Sequence, residues 1–236
     1  MNHIKFFLMF LMAAFLLSSC DEHEPVDLAI YPGHVLLSDG RIVPADAVGD
    51  GATPVAVVFA PQTDQHPVLA VLMDEIGPLA FCDTLGMEQK TSCDVSAYDG
   101  YVNTVAMQTT YKARDTLAVK DNKADPSNYY SSPLANFAFR SHWFLQSDYI
   151  PSVAELSLLY VSLRTVNPIL ERFGGKPIST SSEDAGCWYW TSTEVKENSP
   201  NQAWLFSMAD GSRHKAAKTN SYRARLIVEY NPLGSK

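Results

Sequence analysis

Residues 187–230 restrict the folds open to this chain more than any other stretch. Three of the four tryptophans fall there, at 188, 190 and 204, in short strand-like segments parted by polar runs. Tyr189, Trp190, Leu205, Ile227 and Val228 alternate with polar neighbours and read as the inward side of a sheet. Residues 194–202 form a polar loop between two such segments, and Asp210-Gly211 sets a turn over 208–212. A chain that ends this way must build a sheet and cover one side of it.

The cover is written into residues 151–175. Ser152 and Glu155 stand at N-cap and N3 of a capping box, each able to satisfy the other's free backbone amide. Val153, Leu156, Leu159, Tyr160 and Leu163 then recur at helical spacing and form one apolar face. A second helical piece is expected to begin at Asn167-Pro168, cap followed by first-turn proline, with Ile169, Leu170 and Phe173 inward, and to stop at Gly174-Gly175. Glu155 in an apolar helix invites a general-acid role, but capping accounts for it.

Earlier segments complete an α+β pattern. Val35-Leu36-Leu37 and Arg41-Ile42-Val43 flank the turn signal Ser38-Asp39-Gly40 and read as a hairpin. Residues 54–60 and 68–73 are valine-rich, bounded by Pro, Gly and Asp, and read as buried strands. Val102, Val105 and Ala106 suggest a short helix after Asp99-Gly100, and Ser132-Pro133 opens another with Leu134, Phe137 and Ala138 inward. The polar stretch 112–132 reads as a long surface loop.

The N-terminus sets the compartment. Lys5 precedes an apolar run over 6–17, short for a bilayer span and suited to the core of a signal peptide. Leu17-Ser18-Ser19-Cys20 resembles a bacterial lipobox, which makes residues 1–19 a lipoprotein signal peptide and Cys20 the acylated first residue of the mature chain. The lipids on such a cysteine exceed the two signals that stable anchoring needs. Asp21-Glu22-His23-Glu24 then resembles the acidic export signal of surface lipoproteins in Bacteroides-type bacteria, within an acylated tether over 20–34. The expected location is the outer membrane, facing the cell exterior, with the periplasmic face as the alternative. A net charge of −8 argues against a nucleic-acid partner, because a phosphate backbone would be repelled. In an oxidising compartment Cys82 and Cys93 can close a small loop as a disulfide, or remain buried thiols beside Cys187.

A family resemblance follows from motifs spread along the chain. His142-Trp143-Phe144-Leu145 and then Ile150-Pro151-Ser152-Val153-Ala154-Glu155-Leu156 resemble the W-x-L-P-S-x-x-E-L stretch of the DUF1566, or Lcl C-terminal-like, family, although residues 146–149 lengthen the approach to the proline. Tyr189-Trp190-Thr191-Ser192-Thr193-Glu194, Ala203-Trp204, Asp210-Gly211 and Arg223-Ala224-Arg225 resemble its later elements. The resemblance covers most of residues 35–230 and implies a single domain over 35–231, followed by a tail over 232–236. It implies a C-type lectin-like fold, similar to formylglycine-generating enzymes: a twisted antiparallel sheet, two or more helices and long irregular loops. It also implies adhesion or recognition of a protein or glycan, with a C-terminal region open to retroelement diversification.

On that reading the ligand face comprises Trp188, Glu194, Asn198, Trp204, Arg213, His214, Lys218, Asn220 and Tyr222, since large aromatics on a rigid sheet bury much area for little lost entropy. No catalytic residue, metal or cofactor is expected. The Glu-Pro-Asn and Trp-Asn-Asp runs of calcium-dependent lectins are missing from the sequence. The histidines at 3, 23, 34, 66, 142 and 214 are scattered, unlike a zinc site. Cys187 is the one cysteine of the C-terminal block where the formylglycine-generating reaction needs a pair, and no nearby histidine or basic cluster would activate it. An accessory subunit of a fimbria or surface complex is the alternative reading.

Overall fold

In the computed structural model, residues 29–114, 125–140 and 148–231 are described. The expected signal peptide, Cys20, most of the expected tether, the centre of the long polar loop, the His142 to Leu145 motif and residues 232–236 lie outside them.

The described residues form an α+β structure with two main sheets. The first contains β1 (Val35–Leu37), β2 (Ile42–Val43), β3 (Pro54–Ala60), β4 (Val68–Leu72), β8 (Asp148–Tyr149) and β13 (Ile227–Tyr230), in the order β2-β1-β3-β4-β13-β8. Every pair in it is antiparallel. The second contains β5 (Ile76–Ala80), β9 (Trp188–Glu194), β10 (Gln202–Ser207), β11 (Arg213–Ala217) and β12 (Ser221–Ala224), in the order β11-β10-β9-β12-β5. Here β9 and β12 run parallel, joined at Arg223 opposite Tyr189. A small ribbon pairs β6 (Lys112–Ala113) with β7 (Tyr129–Tyr130).

Two connections cross between the sheets side by side. The chain passes from β4 to β5 through Met73, Asp74 and Glu75, and from β12 to β13 through Arg225 and Leu226, with Leu72 N donating to Leu226 O at 3.1 Å. Arg225 is fully buried and donates through Nη2 to the carbonyls of Met73 at 3.1 Å and Lys176 at 2.5 Å. Both sheets therefore share their cores. On one side Ala56, Val58, Ala70 and Val228 meet Trp190 and Leu205; on the other Val57, Phe59, Leu69, Val71 and Ile227 meet Tyr189 and Phe206. With apolar matter on both faces, β3 and β4 need no polar alternation, and this is why their sequences are continuous apolar runs.

Three α-helices lie among the described residues: α1 (Gly100–Thr109), α2 (Pro133–Arg140) and α3 (Val153–Arg172). The capping box at the start of α3 forms as the sequence demands, with Ser152 N donating to Glu155 Oε2 at 2.6 Å and Glu155 N to Ser152 Oγ at 3.4 Å. Leu156, Leu159, Leu163, Val166 and Leu170 are buried against the second core.

Three expectations about the helices are corrected. There is no break before Pro168: α3 runs unbroken to Arg172, with the proline in its last turns. Asn167 is not a cap but a clamp, accepting from Ile178 N at 2.9 Å and donating to Ile178 O at 2.8 Å, so the chain leaving the helix is tied back to it. In α1 the apolar triplet does not set the buried face, because Val102 and Val105 are 66% and 41% exposed while Asn103, Thr104 and Met107 are buried. Hydrogen bonding decides the orientation. Asn103 Oδ1 accepts from Ser92 N at 2.8 Å, and Thr104 Oγ1 accepts from Ile150 N at 2.9 Å. In α2, Leu134 and Ala138 are buried as expected, whereas Phe137 is 46% exposed.

Gly100 makes the docking of α1 possible. A Cβ there would run into the Glu155 carboxylate and lie 2.8 Å from both Ile150 O and Tyr149 Cε2. Gly100→Ala is expected to cost about 1–3 kcal/mol by overpacking, read as a lower urea midpoint with an unchanged slope.

Candidate recognition face in the C-terminal sheet

β9, β10 and β11 form consecutive hairpins, turned by residues 195–201 and by Ser207 to Ser212. Gly211 takes a φ of +76° at the second turn, and Ser207 N donates to Ser212 O at 2.9 Å. Tyr189, Trp190, Leu205, Ile227 and Val228, read as core, are all 1% exposed or less.

Glu194 and Lys218 are not on the surface. They are 1% and 0% exposed and ion-paired to each other, which corrects their assignment to the ligand face. Glu194 Oε1 also accepts from Gln89 N at 2.7 Å, and Oε2 accepts from Thr91 N and Thr91 Oγ1, each at 3.1 Å. Lys218 Nζ donates to Met87 O at 2.9 Å and lies 5.4 Å from the centre of the Phe81 ring. Burying two charges is costly unless their remaining hydrogen-bonding capacity is used. Here it is used on the backbone of residues 87–91, so the pair fastens that long loop to the ends of β9 and β11.

The same long connection carries Cys82 and Cys93. Cys82, Cys93 and Cys187 are free thiols, so of the two alternatives for Cys82 and Cys93 the structure has the unbonded one. Cys82 is fully buried, with its sulfur accepting from Gln89 Nε2 at 3.3 Å, and Glu194 anchors the chain between the two cysteines to the sheet instead of leaving it to close on itself. Burial pushes both thiols up, away from reactivity. Cys187 is 2% exposed.

The remaining predicted contacts separate onto two sides of the sheet. Trp204 lies opposite Lys215, and Phe206 opposite Arg213, so these four side chains share the α3 side. Leu205 lies opposite both Trp190 and His214, and Ser207 opposite Trp188, which puts Trp188 and His214 on the other side. Their rings meet edge-on at 6.0 Å. Tyr222 packs edge-on against Trp190 at 5.3 Å and serves the core of that side. Asn198 accepts from Asn201 Nδ2 at 2.7 Å and shapes a turn, and exposed Asn220 closes the turn before β12 through its amide to Ala217 O at 2.9 Å.

Trp204 heads the best-assembled of these groups. Half-buried beside the α3 core, it has Arg213 Cζ at 5.8 Å and Lys215 Nζ at 5.3 Å from its ring centre. Both cations are exposed, on a strand that forms the edge of its sheet. Lys215 also reaches Glu197 Oε2 at 3.1 Å. Reasoning from the sequence missed Lys215, although Arg213 and Lys215 two apart on one strand are bound to point the same way.

Another cluster was missed altogether. The Glu75 carboxylate, 2% exposed, is ion-paired to Lys176 and takes Tyr189 Oη at 2.8 Å and Arg223 Nε at 3.5 Å. Burial and the nearby Glu75 charge raise the Tyr189 phenol, which keeps it a donor. Arg223 and Arg225, matched only as a closing motif, thus serve the junction between the sheets. Among the described residues no group of three or more His, Cys, Asp or Glu could hold a metal ion.

No protein-family model matches the chain, and no curated protein matches it.

Lys218→Met leaves the Glu194 carboxylate in the core without its counter-charge and is expected to cost about 3–5 kcal/mol. The double variant with Glu194→Gln should recover part of that loss. Urea unfolding of the four proteins gives the coupling directly.

Proposed function

We propose that this chain is a non-catalytic recognition module that binds a protein or glycan through the α3 side of its C-terminal sheet. Lipid on Cys20 holds it to the outer membrane of a Bacteroides-type bacterium, with the domain facing outward. The observation that carries the reading is the half-buried Trp204 flanked by exposed Arg213 and Lys215 on an edge strand. An aromatic anchor beside planar and point cations is a composition favoured at binding hot spots. The core beside α3 fixes Trp204 from behind, so little of its side-chain entropy is lost when it engages a ligand.

The finer fold assignment is a C-type lectin-like domain of the DUF1566 type. It is supported by two sheets sharing cores, a long helix starting at the Pro151 to Leu156 motif, and irregular connections such as residues 81–99. In that arrangement the motif residues have structural duties: Trp190 fills the core, Glu194 anchors the loop, and Arg223 and Arg225 fasten the sheet junction.

A second reading, an accessory subunit of a fimbria or surface complex, is favoured by an apolar patch on α1 and α2. Tyr101, Val102, Val105 and Phe139 are 41–66% exposed there, and such patches mark packing surfaces between proteins.

Binding to immobilised mucin separates the two readings. Trp204→Ala and the pair Arg213→Ala with Lys215→Ala are each expected to weaken it by about tenfold or more, with unchanged circular dichroism and no effect of calcium chelation. His214→Ala, on the opposite side of the sheet, should leave affinity within about twofold. Mucin binding insensitive to Trp204 would remove this face from the account, and co-purification with pilin-like subunits lost on Val102→Glu would install the second reading.

A further inference from the structure

Three side chains from three elements meet at the N-terminus of α3. Tyr149 of β8 is 1% exposed, and its hydroxyl lies 3.2 Å from Glu155 Oε1 of α3 and 3.0 Å from Glu229 Oε1 of β13. The register brings two of them to one side: Tyr149 sits opposite Ile227, and Glu229 projects on the same side two residues along.

A phenol has one proton to give, and an ionised carboxylate can only accept. If both glutamates were ionised, Tyr149 would donate to one and turn an oxygen lone pair toward the other at hydrogen-bond distance. Both contacts become favourable when one carboxyl is protonated and donates to Tyr149 Oη while Tyr149 donates to the other. We infer that Glu155, Tyr149 and Glu229 form a proton-sharing latch, in which a single proton on Glu155 fastens the start of α3 to β13, the strand beside the sheet edge.

The surroundings assign the proton to Glu155. Its carboxyl is 1% exposed, whereas Glu229 is only partly buried and in contact with water. The groups facing Glu155 are few. On its own element the Ser152 amide donates to Oε2. From α1 come the tightly packed Gly100 backbone and the Tyr101 ring, which meets Tyr149 edge-on at 5.9 Å. From β8 comes Tyr149 and from β13 Glu229, whose neighbour on β4 is the uncharged Leu69. Among the described residues neither glutamate has a salt bridge. Burial first, and then the Glu229 charge, raise the Glu155 carboxyl from 4.5 to about 7, against the lowering effect of its hydrogen bonds to Ser152 and Tyr149.

Because the folded value lies above the unfolded one, the latch stabilises the fold fully below about pH 4.5 and loses its effect as pH rises through about 7. Release of the proton leaves the capping bond to Ser152 in place but costs one of the two Tyr149 contacts. The expected result is a loosening between α3 and β13, with the helix itself intact.

The test is a carbon-13 titration of glutamate side-chain carboxyls in the whole protein, together with thermal melts between pH 5 and 8. One carboxyl signal should titrate near pH 7 and be missing in Glu155→Gln. That variant carries a permanent amide donor toward Tyr149, so its Tm should be flat over the range where the wild-type Tm falls. A Glu155 signal titrating near 4.5, or a Glu155→Gln profile parallel to wild type, overturns the latch. If Glu155→Gln does not fold, Glu229→Gln serves instead: the Glu155 midpoint should move down, and an unmoved midpoint overturns the inference.

Discussion

The buried ion pair between Glu194 and Lys218 is the contact on which the C-terminal half depends. It closes the ends of β9 and β11, and its spare hydrogen-bonding capacity is spent on the backbone at Met87, Gln89 and Thr91. A loop with little regular structure thereby becomes part of the core wall, with Phe81 against Trp190 at 5.5 Å between edge-on rings. Hydrophobic burial alone would not choose that path for the loop, since burial has no direction; a buried charge with four donors around it does.

A second constraint is the crossing of the β4–β5 and β12–β13 connections. Arg225 bridges it through two carbonyls, and Glu75 gathers Lys176, Tyr189 and Arg223 beside it. Burial lowers the Arg225 guanidinium from its ordinary value, because taking the charge out of water disfavours it. With loop and junction fixed, the β10–β11 hairpin has a rigid back, and α3 closes its inner side through Tyr160 against Phe206 at 6.1 Å. Trp204 lies where that cover ends. The proposed recognition role depends on this placement: an anchor held by the core on one side and framed by cations on the other.

Periodic features of the chain are legible in its amino-acid sequence. The capping box, the hairpin at Asp39-Gly40, the buried strands and the core roles of Tyr189 and Trp190 all follow from local pattern, because each is decided by neighbours a few residues away. What is not legible depends on partners far along the chain. Glu194 and Lys218 look like surface charges until residues 87–91 are brought to them. The orientation of α1 goes against its apolar triplet because Ser92 and Ile150 supply partners for Asn103 and Thr104. Among the ligand-face candidates, strand parity alone separates Trp188 and His214 from Trp204 and adds Lys215. Withdrawing Glu194, Lys218 and Tyr222 takes the three-dimensional packing.

The most direct measurement is hydroxyl-radical footprinting of the protein free and bound to immobilised mucin, with oxidation of Trp204 and Trp188 quantified separately. Both indoles are partly exposed, on opposite sides of one sheet, so each reports on its own side. Protection of Trp204 with Trp188 unchanged is the predicted result. Protection of Trp188 alone would contradict the account, because recognition would then lie on the side away from α3.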